Sequence, residues 1–336
     1  MSGDLHVLDV GHGNCAIARG DGWSVMVDAA PSSAVVETLE HFELSRLDVI
    51  AISHRDADHA RGLGPLLAST DLEIGTIYIS ADAAKDPTAP DTAMLLAALR
   101  DAKESGRCEV SKDLDDALPT GTLDGGGLTV EVLAPTFETG MTGPLGVNAA
   151  GSVMTSNTVS AVLRITLPDG LRVLLPGDID DVAFAELRER GPDLSADVLV
   201  FPHHGSLSTV DDEEAFARGV VEAVGPHTVL FSVGRGRRVR PTESIMRGVL
   251  EARPDLYIAC TQLSSGCVAA DATLQHQAAL THLSSVPAAG GARCRSCAGS
   301  MVLRGAGLSE SDRKAHQQYL TSAVDSPMCH LLRPQD

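Results

Sequence analysis

A short stretch after an apolar run carries four side chains of the types that bind metal ions. Six consecutive positions directly after the strand predicted for "LDVIAIS" include all four: His54, Asp56, Asp58 and His59. Imidazole and carboxylate groups are suitable ligands for zinc, manganese or iron. Alternate residues of an extended turn share one side, and the adjacent Asp58–His59 pair can face a second centre. Two metal ions about 3.5–4 Å apart would form a hydrolytic centre. The alternative is an acidic loop with two incidental histidines.

Two other predicted strands end in further candidate ligands. The stretch "LRVLLPGD" ends in Gly177 and Asp178, where a carboxylate could bridge two ions, and "ADVLVFPHH" ends in His203 and His204. Each is a limited signal by itself, because Gly-Asp is common in turns. Their occurrence together with the first cluster favours a dinuclear metal site.

The elements that must position these residues are strands with interspersed helices. Hairpins are predicted near the start and the middle of the chain, and "LDVIAIS" is apolar throughout, as in strands buried on both faces. This pattern predicts an α/β protein with mixed sheets covered by helices, and with polar clusters at strand ends. We predict a hydrolase domain over 1–255, a cysteine-rich extension over 256–305, and a C-terminal helix and tail over 306–336. Ser309 is the predicted N-cap of that helix, which docks on its own domain or on a protein partner.

Composition limits the partners of the chain. Its 336 residues carry a formal net charge of −19, which counts against broad binding to duplex nucleic acid. No apolar run reaches the roughly 20 residues of a membrane span, and the N-terminus lacks the pattern of a signal peptide. We therefore expect a cytoplasmic protein without a membrane segment.

One basic cluster stands out in this acidic chain. Arg235, Arg237, Arg238 and Arg240 lie within six positions. The cluster is either a solvated loop or an anion-binding rim beside an active site.

The cysteines form a second candidate metal site. Of the seven, four lie between positions 260 and 297: Cys260, Cys267, Cys294 and Cys297. Their spacing is typical of a structural zinc ion held by four thiolates, and His276 and His282 are fallback ligands. A redox pair or unmetallated thiols are the alternatives. Cys329 has no predicted partner.

Five motifs together resemble a known family. They are "HVLDVGHGNCAI", "SHRDADHARGL", "SNTVSAVLRI", "LLPGD" and "LVFPHHGS", in that order over roughly 5–255. They resemble the metallo-β-lactamase superfamily and, more narrowly, the hydrolase domain of ComEC-type competence proteins. The resemblance implies an αββα sandwich of two mixed β-sheets flanked by helices. The cysteines would add a small zinc-ribbon-like extension.

The same resemblance implies a role for each matching residue. One metal would be held by His54 and Asp56, the other by Asp58 and His59, with Asp178 as the bridge. His203 and His204 would complete the coordination or act on the substrate, and Asp9 would support the ligands by hydrogen bonding, with His12 beside it.

The chain departs from the family pattern at several positions. Asp56 stands where the wider superfamily has histidine, and an aspartate at this position is common in the competence branch. A carboxylate ligand there makes manganese a competitor of zinc. His12 and Asn14 replace the usual glutamine and aspartate of the first motif. Asn157 and Arg240 occupy places where histidines are common. Arginine cannot ligate a metal but binds phosphate well.

These observations together predict a dinuclear metal-dependent hydrolase of a phosphodiester or another phosphate-containing substrate. Asp58, Asp178 and His204 are the candidate catalytic residues, while Asn157 and the four arginines would bind substrate. Two divalent ions, zinc or manganese, would activate the attacking water. The expected substrate is an anionic small molecule or a short nucleic acid. The rival hypotheses are a hydrolase of a small ester, amide or lactone, and a non-catalytic regulatory protein that retains the fold.

Overall fold

A computed structural model describes residues 3–80, 90–207, 212–269, 286–290 and 295–330. Its strands are β1 (Asp4–Val7), β2 (Ala16–Arg19), β3 (Ser24–Val27), β4 (Arg46–Ile52), β5 (Glu73–Ile79), β6 (Glu109–Ser111), β7 (Thr129–Ala134), β8 (Val162–Thr166), β9 (Arg172–Leu175), β10 (Val198–Val200), β11 (Thr228–Phe231), β12 (Tyr257–Cys260) and β13 (Met301–Leu303). Its α-helices are α1 (Ser33–His41), α2 (Ala57–Ala60), α3 (Leu63–Ala68), α4 (Pro90–Glu104), α5 (Phe137–Thr142), α6 (Asp181–Arg190), α7 (Glu213–Val224), α8 (Glu243–Ala252) and α9 (Glu310–Ala323).

The strands form two mixed sheets. The first has the order β13-β1-β2-β3-β4-β5-β6, and the second the order β12-β11-β10-β9-β8-β7. Each begins with an antiparallel meander, because short turns join β1 to β2 and β3, and β8 to β9. Each continues with parallel strands, whose connections are long enough to contain helices.

Apolar side chains bury both faces of each sheet. On β4, Val49 and Ala51 join the cluster between the sheets, whereas Ile50 and Ile52 join the cluster under α1, α3 and α4. Alternate residues of a strand point to opposite faces, which explains why this strand is apolar throughout. Helices α6, α7 and α8 cover the outer face of the second sheet. The layers are thus helix, sheet, sheet and helix, and the predicted αββα sandwich is confirmed.

The C-terminal part of the chain is built into this sandwich. Strand β12 pairs with β11, and β13 pairs with β1, so the two strands extend different sheets, while the segments next to them meet in an antiparallel bridge between Gln262 and Ser296. Ser309 caps α9 as predicted, accepting a hydrogen bond from the backbone N–H of Asp312 at 3.1 Å. Tyr319 and Leu320 of this helix are buried in the core of the second sheet. Helix α9 therefore docks on its own chain.

None of the helices in the described ranges has the length and apolar character that crossing a bilayer requires.

Candidate metal centre

The predicted ligands meet at the ends of three strands. His54 to His59 follow β4, Asp178 follows β9, and His203 and His204 lie in a 3-10 turn (Pro202–Gly205) after β10. The loop between β1 and β2 adds His12. Parallel strands end at one edge of a sheet, so residues far apart in sequence come together there.

Six of these residues form two compact groups. In each group, one ligand atom per residue lies within 4.8 Å of the others: His54, His59 and Asp178 in one, and His12, Asp58 and His204 in the other. The sequence-based assignment had paired Asp58 with His59 instead, and had placed His12 in support. The structure thus distributes the histidines differently between the two centres.

Asp178 lies between the two groups. Its Oδ1 is 3.2 Å from Nε2 of His59, and its Oδ2 is 3.7 Å from Nε2 of His204 and 4.0 Å from Nε2 of His54. A carboxylate with one oxygen towards each group is in position to bridge two ions. Gly177 allows this placement, because it has a φ of +58° and a Cβ there would lie 2.4 Å from Ser160 Oγ. The same Oγ accepts a hydrogen bond from the N–H of Asp178.

Hydrogen bonds fix the orientation of two buried imidazoles. Nδ1 of His204 lies 2.8 Å from the carbonyl oxygen of Ser232, which can only accept, so Nδ1 carries the proton. Nδ1 of His59 lies 2.7 Å from Oδ2 of Asp28. In both rings Nε2 faces the site, as in a metal-ligating histidine held by a polar partner.

Asp28 is a functional residue that the sequence-based analysis missed. It is buried directly after β3, and its carboxylate also accepts hydrogen bonds from the N–H of Ser53 at 2.8 Å and from its hydroxyl at 3.0 Å. A carboxylate that ends the apolar run "WSVMVDA" was the available signal. It resembles the polar ends of β4, β9 and β10.

The donor atoms fit a divalent metal. Nε2 of His59, Nε2 of His204 and Oδ1 of Asp178 are buried, and none of them makes a hydrogen bond within the described part of the chain. Buried polar atoms are normally satisfied, so three that converge without a hydrogen-bond partner fit coordination to a cation. Imidazole with carboxylate is a donor set for zinc or manganese.

Asp56, His203 and Asn157 lie at the rim of these groups. Asp56 precedes α2, with Oδ1 3.6 Å from Nε2 of His54. His203 has Nδ1 3.8 Å from Oδ2 of Asp178 and 3.1 Å from Nδ2 of Asn157. The asparagine amide therefore positions an imidazole. His203 and His204 both adopt positive φ, of 51° and 56°, a conformation that is costly for non-glycine residues and that occurs at functional sites.

The loop that carries His12 packs tightly against the ligand segment. Gly13 has a φ of +122°, and a Cβ there would lie 2.2 Å from the carbonyl oxygen of Asp58. The same oxygen accepts the N–H of Asn14 at 3.2 Å. This close approach brings Nε2 of His12 to 3.2 Å from Oδ2 of Asp58.

Charges within the site change its titration. Burial alone would raise the pKa of Asp178, but the neighbouring imidazoles of His59 and His204 hold it well below its ordinary value. Burial alone would lower the pKa of His59, but the carboxylates of Asp178 and Asp28 raise it well above the ordinary value. Asp58 has a lowered pKa for the same reason as Asp178. Without a metal ion, these shifts favour ionised carboxylates beside a protonated His59 imidazole.

Zinc binding is therefore expected to release a proton and to strengthen as the pH rises. A protonated His59 has no lone pair to donate, so the metal must displace about one proton from it. Because the pKa of His59 is raised, protons still compete with the metal for its ring nitrogen at neutral pH, and they compete less as the pH rises. Asp178 has a lowered pKa, so protons do not compete with the metal for its carboxylate. Titration calorimetry in two buffers of different ionisation enthalpy measures the released protons. Zinc binding without proton release at pH 7 would contradict this assignment.

The arginine cluster has two distinct roles. The guanidinium group of Arg235 donates to the backbone oxygens of Leu263, Ser264, Val268 and Ala269, so it holds the chain together and is not available to an anion. All four arginines line a cleft of about 850 Å³ beside His12, but only the guanidinium groups of Arg237, Arg238 and Arg240 are not held by these backbone oxygens. Arg295, which no sequence signal singled out, lines the same cleft.

Asp9 does not contact the metal-binding groups. Its carboxylate accepts hydrogen bonds from Gln262 Nε2 at 2.8 Å, the N–H of Gly290 at 3.0 Å, the N–H of Gly11 at 3.1 Å and Ser296 Oγ at 3.3 Å. It therefore fastens the C-terminal segment to the first loop instead of supporting ligands.

Three of the four predicted zinc-ligating cysteines lie around one small buried space. Cys260, Cys267 and Cys297 line it together with Cys329. The fourth predicted ligand, Cys294, and the fallback ligands His276 and His282 lie outside the described residues.

Comparison with known proteins gives one family match. The model of the metallo-β-lactamase superfamily matches residues 8–214. No curated protein matches the sequence significantly.

Several solved structures are similar to this chain. The metallo-β-lactamase fold protein YhfI of Bacillus subtilis has 14% identity and a TM-score of 0.48, covering 79% of this chain and 98% of its own. Unliganded yeast PDE1 has 13% identity and a TM-score of 0.48, covering 77% of this chain and 97% of its own. The metallo hydrolase Igni18 of Ignicoccus hospitalis has 14% identity and a TM-score of 0.46, covering 76% and 94%.

Proposed function

Because this chain belongs to the metallo-β-lactamase superfamily, we propose that it is a dinuclear metal-dependent hydrolase of a phosphodiester or another phosphate-containing substrate. The observation that carries the proposal is the pair of His/Asp groups on either side of Asp178. Two divalent ions there would activate water and neutralise the charge that develops on a phosphoryl group. The sequence resemblance to competence-type hydrolase domains supports the same substrate class.

The cleft beside the centre supports an anionic substrate. Arg240 donates from Nη1 to the His12 ring, with distances of 3.2 Å to Nδ1 and 3.3 Å to Nε2, and so borders both the cleft and the metal-binding groups. Its Nε is buried and makes no hydrogen bond to any described residue. Arg237, Arg238 and Arg295 add positive charge to the cleft wall. Guanidinium groups bind phosphate oxygens in a planar, two-pronged geometry, which fits a small phosphate ester or a short nucleic acid.

We assign proton transfer to His203 in place of His204. Nδ1 of His204 is held by the Ser232 carbonyl, and its Nε2 faces Asp58 and Asp178, where a metal ion would take its lone pair. His203 is partly exposed at the rim, and burial lowers its pKa, which leaves a neutral imidazole able to accept a proton at pH 7.

The experiment that tests this function compares metals and substrates in one preparation. Protein stripped by a chelator is reloaded with zinc or manganese and assayed on bis(p-nitrophenyl) phosphate, p-nitrophenyl acetate and a simple lactone. We expect metal-dependent turnover of the phosphodiester. Turnover of the ester or lactone alone would favour the small-ester hypothesis. Failure of the His/Asp groups to take up metal at saturating concentration would favour a non-catalytic protein.

Substitution of Arg240 is expected to weaken phosphodiester binding selectively. Loss of a charge-assisted hydrogen bond costs about 1.5–3 kcal/mol, so Arg240→Gln should raise KM by roughly 10–100-fold. Steady-state kinetics on bis(p-nitrophenyl) phosphate measure the change. Arg247→Gln is the matched control, because Arg247 lies on α8 and pairs with Glu243 at 2.6 Å. An unchanged KM, or an equal rise with p-nitrophenyl acetate, would count against a phosphate-binding role.

A further inference from the structure

Four cysteines converge at a second place in the fold, away from the His/Asp groups. Cys260 ends β12, Cys267 lies in the following turn, Cys297 precedes β13, and Cys329 lies in a 3-10 turn (Met328–His330) near the C-terminus. All four line one buried space. Three separate segments of chain thus place cysteines around the same space.

Apart from the cysteines and the hydroxyl of Ser264, the walls of this space are apolar. Pro241, Met246, Ile258 and Leu320 contribute hydrocarbon, and among the described residues no carboxylate or amino group lines it. Four sulfur donors in such surroundings form a soft ligand set, and soft thiolates select zinc over hard ions such as magnesium.

Two of the sulfur atoms face N–H donors. The backbone N–H of Met328 donates to Sγ of Cys267 at 3.4 Å. Nε2 of His316 lies 3.1 Å from Sγ of Cys297, while its Nδ1 lies 2.7 Å from the hydroxyl of Tyr257. With the hydroxyl donating to Nδ1, the Nε2–H donates to sulfur. A thiolate whose proton a metal ion has displaced is a better acceptor than a thiol, and such donors around the ligands are typical of metal sites.

From this convergence we propose that Cys260, Cys267, Cys297 and Cys329 bind a structural zinc ion, with Cys329 and not Cys294 as the fourth ligand. Each thiol gives up its proton to solvent as zinc binds. In a tetrahedral four-thiolate site the sulfur atoms are about 3.8 Å apart, from Zn–S bonds of about 2.3 Å. No three of these sulfur atoms lie within 4.8 Å of one another in the described ranges, so zinc binding requires the three segments to move inward.

The zinc site is linked to the substrate cleft through the backbone. The carbonyl oxygens that hold Arg235 belong to Leu263, Ser264, Val268 and Ala269, which flank or lie between the first two cysteines of the site. In the same segment, the hydroxyl of Ser265 donates to the carbonyl oxygen of Arg238 at 3.2 Å. By fixing this segment, zinc braces the loop that carries the cleft arginines.

Cobalt substitution tests the proposal independently of activity. Cobalt bound by thiolates shows a sulfur-to-metal charge-transfer absorption that His/Asp ligands do not give. We expect this band in the intact chain loaded with cobalt, together with about one more zinc per chain than the His/Asp groups hold. Absence of the band in the wild-type protein would overturn the proposal, whatever the variants do.

Serine variants identify the fourth ligand. Cys329→Ser is expected to lose the band and about one zinc per chain, whereas Cys294→Ser and the control Cys108→Ser keep both. His316→Phe is expected to shift the band without removing the metal, because His316 acts through Cys297. Retention of zinc and band in Cys329→Ser, or their loss in Cys294→Ser, would exclude Cys329 as the fourth ligand.

Discussion

Asp178→Asn is expected to lower kcat on a phosphodiester by about a thousandfold or more and to reduce the metal content of the His/Asp groups. Asp178 is the residue whose two oxygens face both groups, at 3.2 Å from His59 and 3.7 Å from His204. Loss of its charge removes the bridging anion and leaves converging imidazoles without a counter-charge. Metal analysis and steady-state kinetics on the same preparation measure both effects.

The control for this substitution is Asp181→Asn. Asp181 is a nearby exposed carboxylate in the first turn of α6, outside both His/Asp groups. We expect its replacement to leave metal content and kcat unchanged. If Asp178→Asn retained both metals and most of its activity, Asp178 would not be the bridging ligand, and the dinuclear assignment would have to be abandoned.

Asp28→Asn is expected to lower zinc affinity at the His/Asp groups by about 10–100-fold, with activity restored by excess zinc. Oδ2 of Asp28 accepts a hydrogen bond from Nδ1–H of His59 at 2.7 Å, which orients Nε2 towards the metal position. A neutral amide at position 28 holds the Nδ1–H of His59 less strongly than a carboxylate does. The His59 ring therefore binds metal less well, although His59 itself is still present as a ligand. Metal titration followed by activity at low and high zinc separates affinity from turnover.

Asp48→Asn is the matched control, because Asp48 is also a buried carboxylate of the first sheet. It accepts the N–H of Ser24 at 2.9 Å and pairs with Arg46, away from the metal-binding groups. We expect this variant to lose stability without a change in zinc affinity. Equal losses of affinity in the two variants would mean that Asp28 acts only through the fold.

Much of the fold was predictable from local patterns. The run "LDVIAIS" is apolar at every position, and the structure buries Val49 and Ile50 on opposite faces of β4. The N-cap of α9 was equally predictable, because it needs only a serine hydroxyl that accepts a hydrogen bond from the backbone N–H three residues later. The sheets that β12 and β13 join were not predictable locally, because strand partners depend on which sheet edges are free.

The candidate site was predictable in its residue types but not in its partners. His54, Asp58, His59, Asp178 and His204 all lie at the centre. Asp28 was missed because a single carboxylate after a strand is common in turns. Arg235 and Arg240 are alike in sequence context, yet one is fastened to backbone carbonyl oxygens and the other faces the site.

The sequence by itself determined the family, the ligand types and the strand ends that carry them, because each rests on a short motif or on the period of apolar residues. Tertiary structure decided which imidazoles share a centre, which nitrogen of each ring faces it, and which cysteines meet. The contact of His12 with Asp58, and the space that Cys260, Cys297 and Cys329 line together, join distant segments. Their geometry is set by how the two sheets pack and where the last helix docks, and no local pattern encodes those distances.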